Sequence, residues 1–137
     1  MEVRSHCPIN FTLEHFGDKW SFLIIRDLIF KGKRHYNEFL EAGEKVSTSV
    51  LGDRLKKLEE MGIISKGEDL VKKSRIRYSL TQKGIDLLPI LLEMIIWGGL
   101  KDELTESPKE FMDQALGNRE ALLKEIREQL IHEHLKE

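Results

Sequence analysis

Between residues 47 and 77 the chain gathers side chains suited to one task, holding a polyanion. Ser47, Thr48 and Ser49 stand in a row and Gly52 follows, so three hydroxyls and a sterically open backbone share one stretch. Small hydroxyl residues reach base edges or phosphate oxygens where longer side chains would hold the backbone away. Asp53 among them could accept from a cytosine amino group or pair with a lysine. Lys56 and Lys57 lie further along, where phosphate contact is easier than base contact. Lys72, Lys73, Arg75 and Arg77 form a second basic run, with Lys33, Arg34 and His35 a weaker set of backbone-contact candidates. The window 47–77 holds eight Lys or Arg against five acids, a net of +3, in a chain whose formal net charge is −2. Screening confines a charge to roughly 8–10 Å at physiological salt, so a locally basic face can meet nucleic acid on an acidic protein. An ordinary solvated surface is the competing reading of the same charges.

Cys7 is the other chemically distinctive residue and the candidate regulatory position. It precedes Pro8 at an expected helix N-terminus with Arg4 and His6 nearby, and positive charge there favours the reactive thiolate. The alternative is a small apolar residue packed at an interface. A single cysteine rules out an intramolecular disulfide framework and a Cys-rich zinc site. His132 and His134, two apart on a helix, point different ways, and His6, His15 and His35 have no carboxylate partner evident in sequence. No metal site and no cofactor are expected. Trp20 and Trp97 read as core rather than as a ligand cage. No phosphate loop, nucleophile elbow or HExxH pattern occurs, so the chain does not read as an enzyme.

The elements that must carry these residues follow from periodicity and punctuation. Pro8 suits the first position of a short helix ending at Phe16. Asp18 reads as the cap of a helix over Lys19–Phe30, closed by Lys31-Gly32-Lys33. A short helix over Tyr36–Glu41 and a connection through Gly43 lead to Ser47, which caps a helix over Thr48–Met61 with Leu51, Leu55 and Leu58 at helical spacing. Gly62 then falls where a left-handed stop is wanted, with Ile63 placed to touch Leu58. The period changes to strand in 63–66 and again in Arg75–Leu80, where Ile76, Tyr78 and Leu80 alternate, and Gly67–Ser74 is the polar loop between them. Thr81 caps a helix from Gln82 to about Trp97, apolar nearly all round, which Pro89 should kink or start late and Gly98-Gly99 should end. One domain cannot cover two apolar faces of that helix, so a partner subunit is expected. Ser107–Glu110 has a capping-box pattern, and a last helix runs from about Asn118 with Leu122, Ile126 and Leu130 as its stripe. Residues 101–137 carry six Lys or Arg against ten acids, a net of −4. The N-terminus lacks the apolar core of a signal peptide, and Ile85–Leu100 is too short and too interrupted for a bilayer span, so a cytoplasmic protein without membrane contact is expected.

The ordered set Cys7-Pro8, Gly17-Asp18-Lys19-Trp20, Ile25-Arg26-Asp27-Leu28, Val50-Leu51, Arg54-Leu55, Leu58-Glu59, Gly62, Tyr78-Ser79-Leu80-Thr81, Gly84, Leu88-Pro89 and Trp97 resembles the HxlR-type winged helix-turn-helix regulators, relatives of the MarR group. The resemblance covers about residues 5–100. It implies a mainly α fold with a small β-ribbon, a winged helix-turn-helix with terminal dimerisation helices. It also implies a homodimer on double-stranded operator DNA, an inverted repeat, and a redox or electrophile sensor at the Cys-Pro position of some relatives. On this reading residues 1–100 are the DNA-binding and dimerising domain, and 101–137 a helical extension packed on the dimer. A small-molecule-responsive regulator or a winged-helix protein-interaction module are the alternatives. The chain departs from the family in two places: the wing, often proline-bearing, has no proline and carries Lys72-Lys73, and the tail is longer and acidic.

Overall fold

The computed structural model describes residues 3–135. Helices α1 (Pro8–Phe16), α2 (Ser21–Phe30), α3 (Tyr36–Leu40) and α4 (Thr48–Glu60) precede a two-stranded sheet of β1 (Ile64–Glu68) and β2 (Ile76–Leu80). Helices α5 (Gln82–Ile85), α6 (Leu88–Lys101), α7 (Lys109–Gly117) and α8 (Arg119–Leu130) follow, and a π-helical turn occupies Ile131–Leu135. The contacts divide the chain into two compact units, one ending at Ser79 and the other starting at Leu80. Residue 100, where the sequence reading divides the chain, lies inside α6.

In the first unit most of the punctuation acts as expected. Pro8 opens α1, where its missing N–H has no partner to lose. Trp20, not Asp18, is the N-cap residue of α2, and Asp18 supports the helix start from two residues before Trp20. Its carboxylate accepts from the amides of Trp20 and Ser21 at 2.9 Å and from the Ser21 hydroxyl at 2.6 Å, so Ser21 rather than Lys19 is the first helical residue. Gly32, at φ +65°, closes α2. Ser47 Oγ accepts the Val50 amide at 3.3 Å and starts α4. Gly62 stops it at φ +74°, its amide donating to Glu59 O at 3.0 Å while Ile63 N–H donates to Leu58 O at 2.9 Å. This pair of bonds satisfies the last carbonyls of the helix, and Leu58 and Ile63 are both buried beside it. Ile25, Leu28, Phe39, Leu51, Leu55 and Leu58 form the core that holds the helices.

The sheet corrects one expectation. Leu80 is buried and Tyr78 half-buried, but Ile76 is 48% exposed, so the alternating face of β2 is covered only at its C-terminal end. The outer half of a two-stranded ribbon has no layer packed over it.

The second unit departs further. The helix expected over 82–97 is two helices: α5 ends at Ile85, and Pro89 sits in the first turn of α6, where a missing donor is tolerated. Gly98-Gly99 does not end α6, which runs on to Lys101. A Cβ built on Gly99 would lie 2.9 Å from Met112 Sδ, so this glycine lets α6 and α7 approach rather than stopping a helix. The capping box at Ser107 is not formed: Pro108 occupies the cap position and Ser107 Oγ is buried without a hydrogen-bond partner. Trp20 is half-buried, and Trp97, expected in the core, is 69% exposed. Leu122 and Leu130 are buried as expected, with Ile126 only half so. At the C-terminal turn His134 is buried and its Nδ1 accepts Leu80 N–H at 3.0 Å, while His132 is exposed. No helix among the described residues is long and apolar enough to cross a membrane.

Candidate nucleic-acid interface

Helix α4 has two opposed sides because its leucines repeat every three or four residues. Leu51, Leu55 and Leu58 are buried; Ser47, Thr48, Ser49, Gly52, Asp53, Lys56 and Lys57 are all exposed on the remainder of the surface. At 100° per residue Ser49, Gly52, Asp53 and Lys56 fall along one line opposite those leucines. Every α4 residue picked from sequence as a nucleic-acid contact is therefore presented to solvent.

Arg54 flanks this face and serves the fold. Its Nε lies 3.3 Å from Asp18 Oδ2, the carboxylate that supports the start of α2, and its Nη1 is 3.5 Å from Asp53. Burial opposes ionisation of Asp18, but hydrogen bonds from the Ser21 hydroxyl and the Trp20 and Ser21 amides, with Arg54 beside them, hold it below its ordinary value. One carboxylate thus joins the start of α2 to the side of α4. The connection before α4 is pinned as well. Arg26 forms a two-pronged contact with Glu44 at 2.6 and 3.0 Å, and the Tyr36 hydroxyl donates to Thr48 O at 3.0 Å. Lys45 in this turn stands at φ +59°, an unfavourable backbone for a side chain with a Cβ.

The loop between the strands is built round Asp69. Its Oδ2 accepts the amides of Val71 at 3.1 Å and Lys72 at 3.0 Å, its own amide donates to Arg75 O at 2.9 Å, and its Oδ1 meets His35 Nε2 at 2.6 Å. The Lys72 amide first, then the His35 ring and the Val71 amide, bring the Asp69 pKa down to about 2. Lys72, Lys73 and Arg75 are exposed round this loop and Arg77 is half-exposed on β2. Among the described residues Lys56, Lys72, Lys73, Arg75 and Arg77 have no ion pair within the chain. Arg4, Arg26, Arg54 and Arg119, by contrast, each face a carboxylate.

The weaker candidates Lys33, Arg34 and His35 turn inward. Lys33 Nζ is 3.7 Å from the buried Asp27. Arg34 Nε donates to Tyr78 O, and its Nη2 to Ser79 Oγ, both at 2.6 Å, while its carbonyl accepts Tyr78 N–H at 2.7 Å. Residue 34 thereby lies along β2 and ties it to the start of α3. His35, read from sequence as having no carboxylate partner, has two: Nδ1 is 2.6 Å from Glu38 and Nε2 is 2.6 Å from Asp69. The signals were present, since Glu38 lies three residues after His35 as in a capping box and Asp69 three before Lys72 as in an Asx turn.

Cys7 is exposed immediately before α1. The Arg4 guanidinium, placed near it by sequence, is directed to Glu14 at 3.2 Å and Asn10 at 2.6 Å instead. Among the described residues no three His, Cys, Asp or Glu side chains gather as a metal site.

These elements, helix-turn-helix, ribbon and loop, recur in known proteins. A Synechocystis HTH-type transcriptional regulator is 39% identical over 88 residues, 64% of each chain. The Bacillus subtilis HTH-type transcriptional regulator YybR is 34% identical over 101 residues, 74% of this chain and 80% of that one. Among solved structures, the redox regulator HypR in its oxidised form superposes with a TM-score of 0.63 at 31% identity, covering 72% of this chain and all of that one. The family model of the HxlR-like helix-turn-helix matches residues 15–106, which include the exposed face of α4, the ribbon and all of α6. The order of elements, helix-turn-helix followed by a two-stranded ribbon, is therefore that of a winged helix-turn-helix transcriptional regulator, and the chain belongs to the HxlR-like family.

Proposed function

We propose that the protein is a sequence-specific DNA-binding regulator that acts as a homodimer on an inverted-repeat operator. The observation that carries this reading is the division of charge. Lys56, Lys57, Lys72, Lys73, Arg75 and Arg77 are exposed or half-exposed and form no ion pair among the described residues, whereas Arg26, Lys33 and Arg54 of the same unit face carboxylates. Ser47, Thr48, Ser49 and Gly52, at the start of α4, enter the major groove, with Asp53 beside them and Lys56 and Lys57 on the flanking phosphates. Lys72, Lys73, Arg75 and Arg77 hold the backbone and carry no sequence information. Exposed Ile90, Met94 and Trp97 on α6, and Ile9, Phe11 and Leu13 on α1, support a second copy as the cover for these faces. Exposed Cys7 supports an oxidant or electrophile as effector, a reading in keeping with the likeness to HypR.

Selection of bound sequences from a random DNA pool tests the proposal and should return an inverted repeat with half-sites about one helical turn, or a multiple, apart. Replacing both Lys72 and Lys73 with alanine should weaken binding to every sequence alike. It should also lower the slope of log affinity against log salt by about 0.9 per lost phosphate contact. Equal binding of direct repeats, or an unchanged slope, would overturn the assignment.

A further inference from the structure

We propose that His35, in its doubly protonated form, is the positioning residue that holds the ribbon loop in its DNA-contacting conformation, so that DNA affinity falls as the imidazole loses a proton. The inference rests on the DNA-binding reading above and adds a residue to it that contacts no DNA.

The geometry is specific. Both ring nitrogens face carboxylate oxygens at 2.6 Å, Glu38 on one side and Asp69 on the other. An imidazole satisfies two acceptors only when both nitrogens carry protons; the neutral ring turns a lone pair towards one carboxylate. Glu38 is itself fixed by the amides of Arg34 at 3.0 Å and His35 at 3.0 Å. Asp69 is fixed by the amides of Val71 and Lys72. The ring is therefore the link between the start of α3 and the neck of the loop that bears Lys72 and Lys73. The neighbouring charged and titratable groups are engaged elsewhere: Arg34 on Tyr78 and Ser79, Lys33 on Asp27, and the Tyr36 hydroxyl on the Thr48 carbonyl. The groups hydrogen-bonded to the ring are the carboxylates of Glu38 and Asp69. Both remain ionised near neutrality. Glu38 is held below its ordinary value by amide and imidazole hydrogen bonds that outweigh its burial, and Asp69 lies at about 2.

The protonated ring makes two charge-assisted bonds, and deprotonation removes one and leaves an acceptor facing an acceptor. With the loop released, phosphate contacts must order it again on binding, and affinity drops.

The experiment uses the full chain and a fluorescein-labelled random-sequence duplex, at constant ionic strength, with the pH raised from about 6 until the nitrogen signal of the ring shows its change of protonation state. Binding by the unaltered protein should weaken by about three- to tenfold across that span, the scale of one net intramolecular hydrogen bond. His35→Gln and Asp69→Asn, checked for folding by thermal melting, should bind with affinity flat within about twofold. In parallel, nitrogen NMR of the ring should show both His35 nitrogens protonated at the low end. Hydrogen exchange at the Val71 and Lys72 amides, corrected for intrinsic rate, should accelerate as that signal titrates. A pH profile that survives both substitutions, or amide protection indifferent to the ring, overturns the proposal. If no duplex binds at any pH while protection still follows His35, the DNA reading falls and the ring's hold on the loop stands.

Discussion

At the scale of single residues, Asp69 and the α4 hydroxyls contrast a group that organises the fold with groups presented to solvent and proposed to read DNA. Asp69 accepts two amides and an imidazole, and its depressed pKa fixes the sign of its contribution. The contribution is complete above the unfolded carboxylate value near 3.8 and is lost as pH falls through about 2. Protection of the Val71 and Lys72 amides should therefore persist at about pH 3 and disappear towards about pH 2, a loss absent from Asp69→Asn. Thr48 and Ser49 stand at the other extreme, exposed and without a described role in the fold beyond the first turn of α4. Replacing either with alanine should leave the melting temperature nearly unchanged while shifting preference at one or two base pairs by about 1–3 kcal/mol, read by repeating the selection. The α4 residues were legible in sequence because helix spacing alone separates Leu51, Leu55 and Leu58 from the rest. His35 was legible only in part: Glu38 stands three residues away in a capping-box pattern, but Asp69 lies 34 residues away and only the fold of the ribbon brings it to the ring.

Elements are decided by their ends and by what presses on them. Leu55 is 2% exposed at the centre of α4, and truncation to alanine should cost about 2–5 kcal/mol in chemical denaturation, with DNA affinity of the remaining folded fraction little altered. Gly17 is a sharper case: a Cβ there would lie 2.4 Å from Leu13 O, a backbone atom that cannot step aside. Gly17→Ala should lower stability by about 1–3 kcal/mol, whereas Gly99→Ala meets only the flexible end of Met112 and should be much milder; paired urea melts would separate them. The start signal at Asp18, the cap at Ser47 and the stop at Gly62 were readable because each acts within a few residues. Glycine at 98 and 99 misled for a physical reason. The same residue that permits a left-handed stop also permits close helix packing, and only the position of Met112 decides which use applies.

For the molecule as a whole, large exposed apolar side chains occur in both units, and in the second several of them share α6. Pro89, Ile90, Met94 and Trp97 line a groove edged by the Glu93–Arg119 ion pair, whose Nε–Oε1 distance is 2.6 Å. Trp97→Glu should shift sedimentation towards a monomer at micromolar concentration with its melting behaviour in the monomer preserved, because a half-solvated carboxylate costs nothing until a partner subunit must desolvate it. A dimer unchanged by this substitution would place the interface elsewhere. The expectation of a partner rests on the apolar run 87–97. Which residues would face it could not be read from that run, because the break at Pro89 resets the phase of the helix that follows.

The shared carboxylate of Asp18 has a mechanical consequence. Helix α1 is a rod of nine residues, about 13 Å long, with the only thiol at its head and the Gly17-Asp18 junction at its foot. On the proposed regulatory reading, an adduct at Cys7 that meets a partner subunit would act at the far end of the rod, where leverage is greatest. A displacement of about 3 Å at that end, pivoting at Gly17, corresponds to a tilt of about 13° at the foot. There the Asp18–Arg54 ion pair would pass the tilt to the side of α4, so that on this reading the thiol and the exposed face of α4 are opposite ends of one crank.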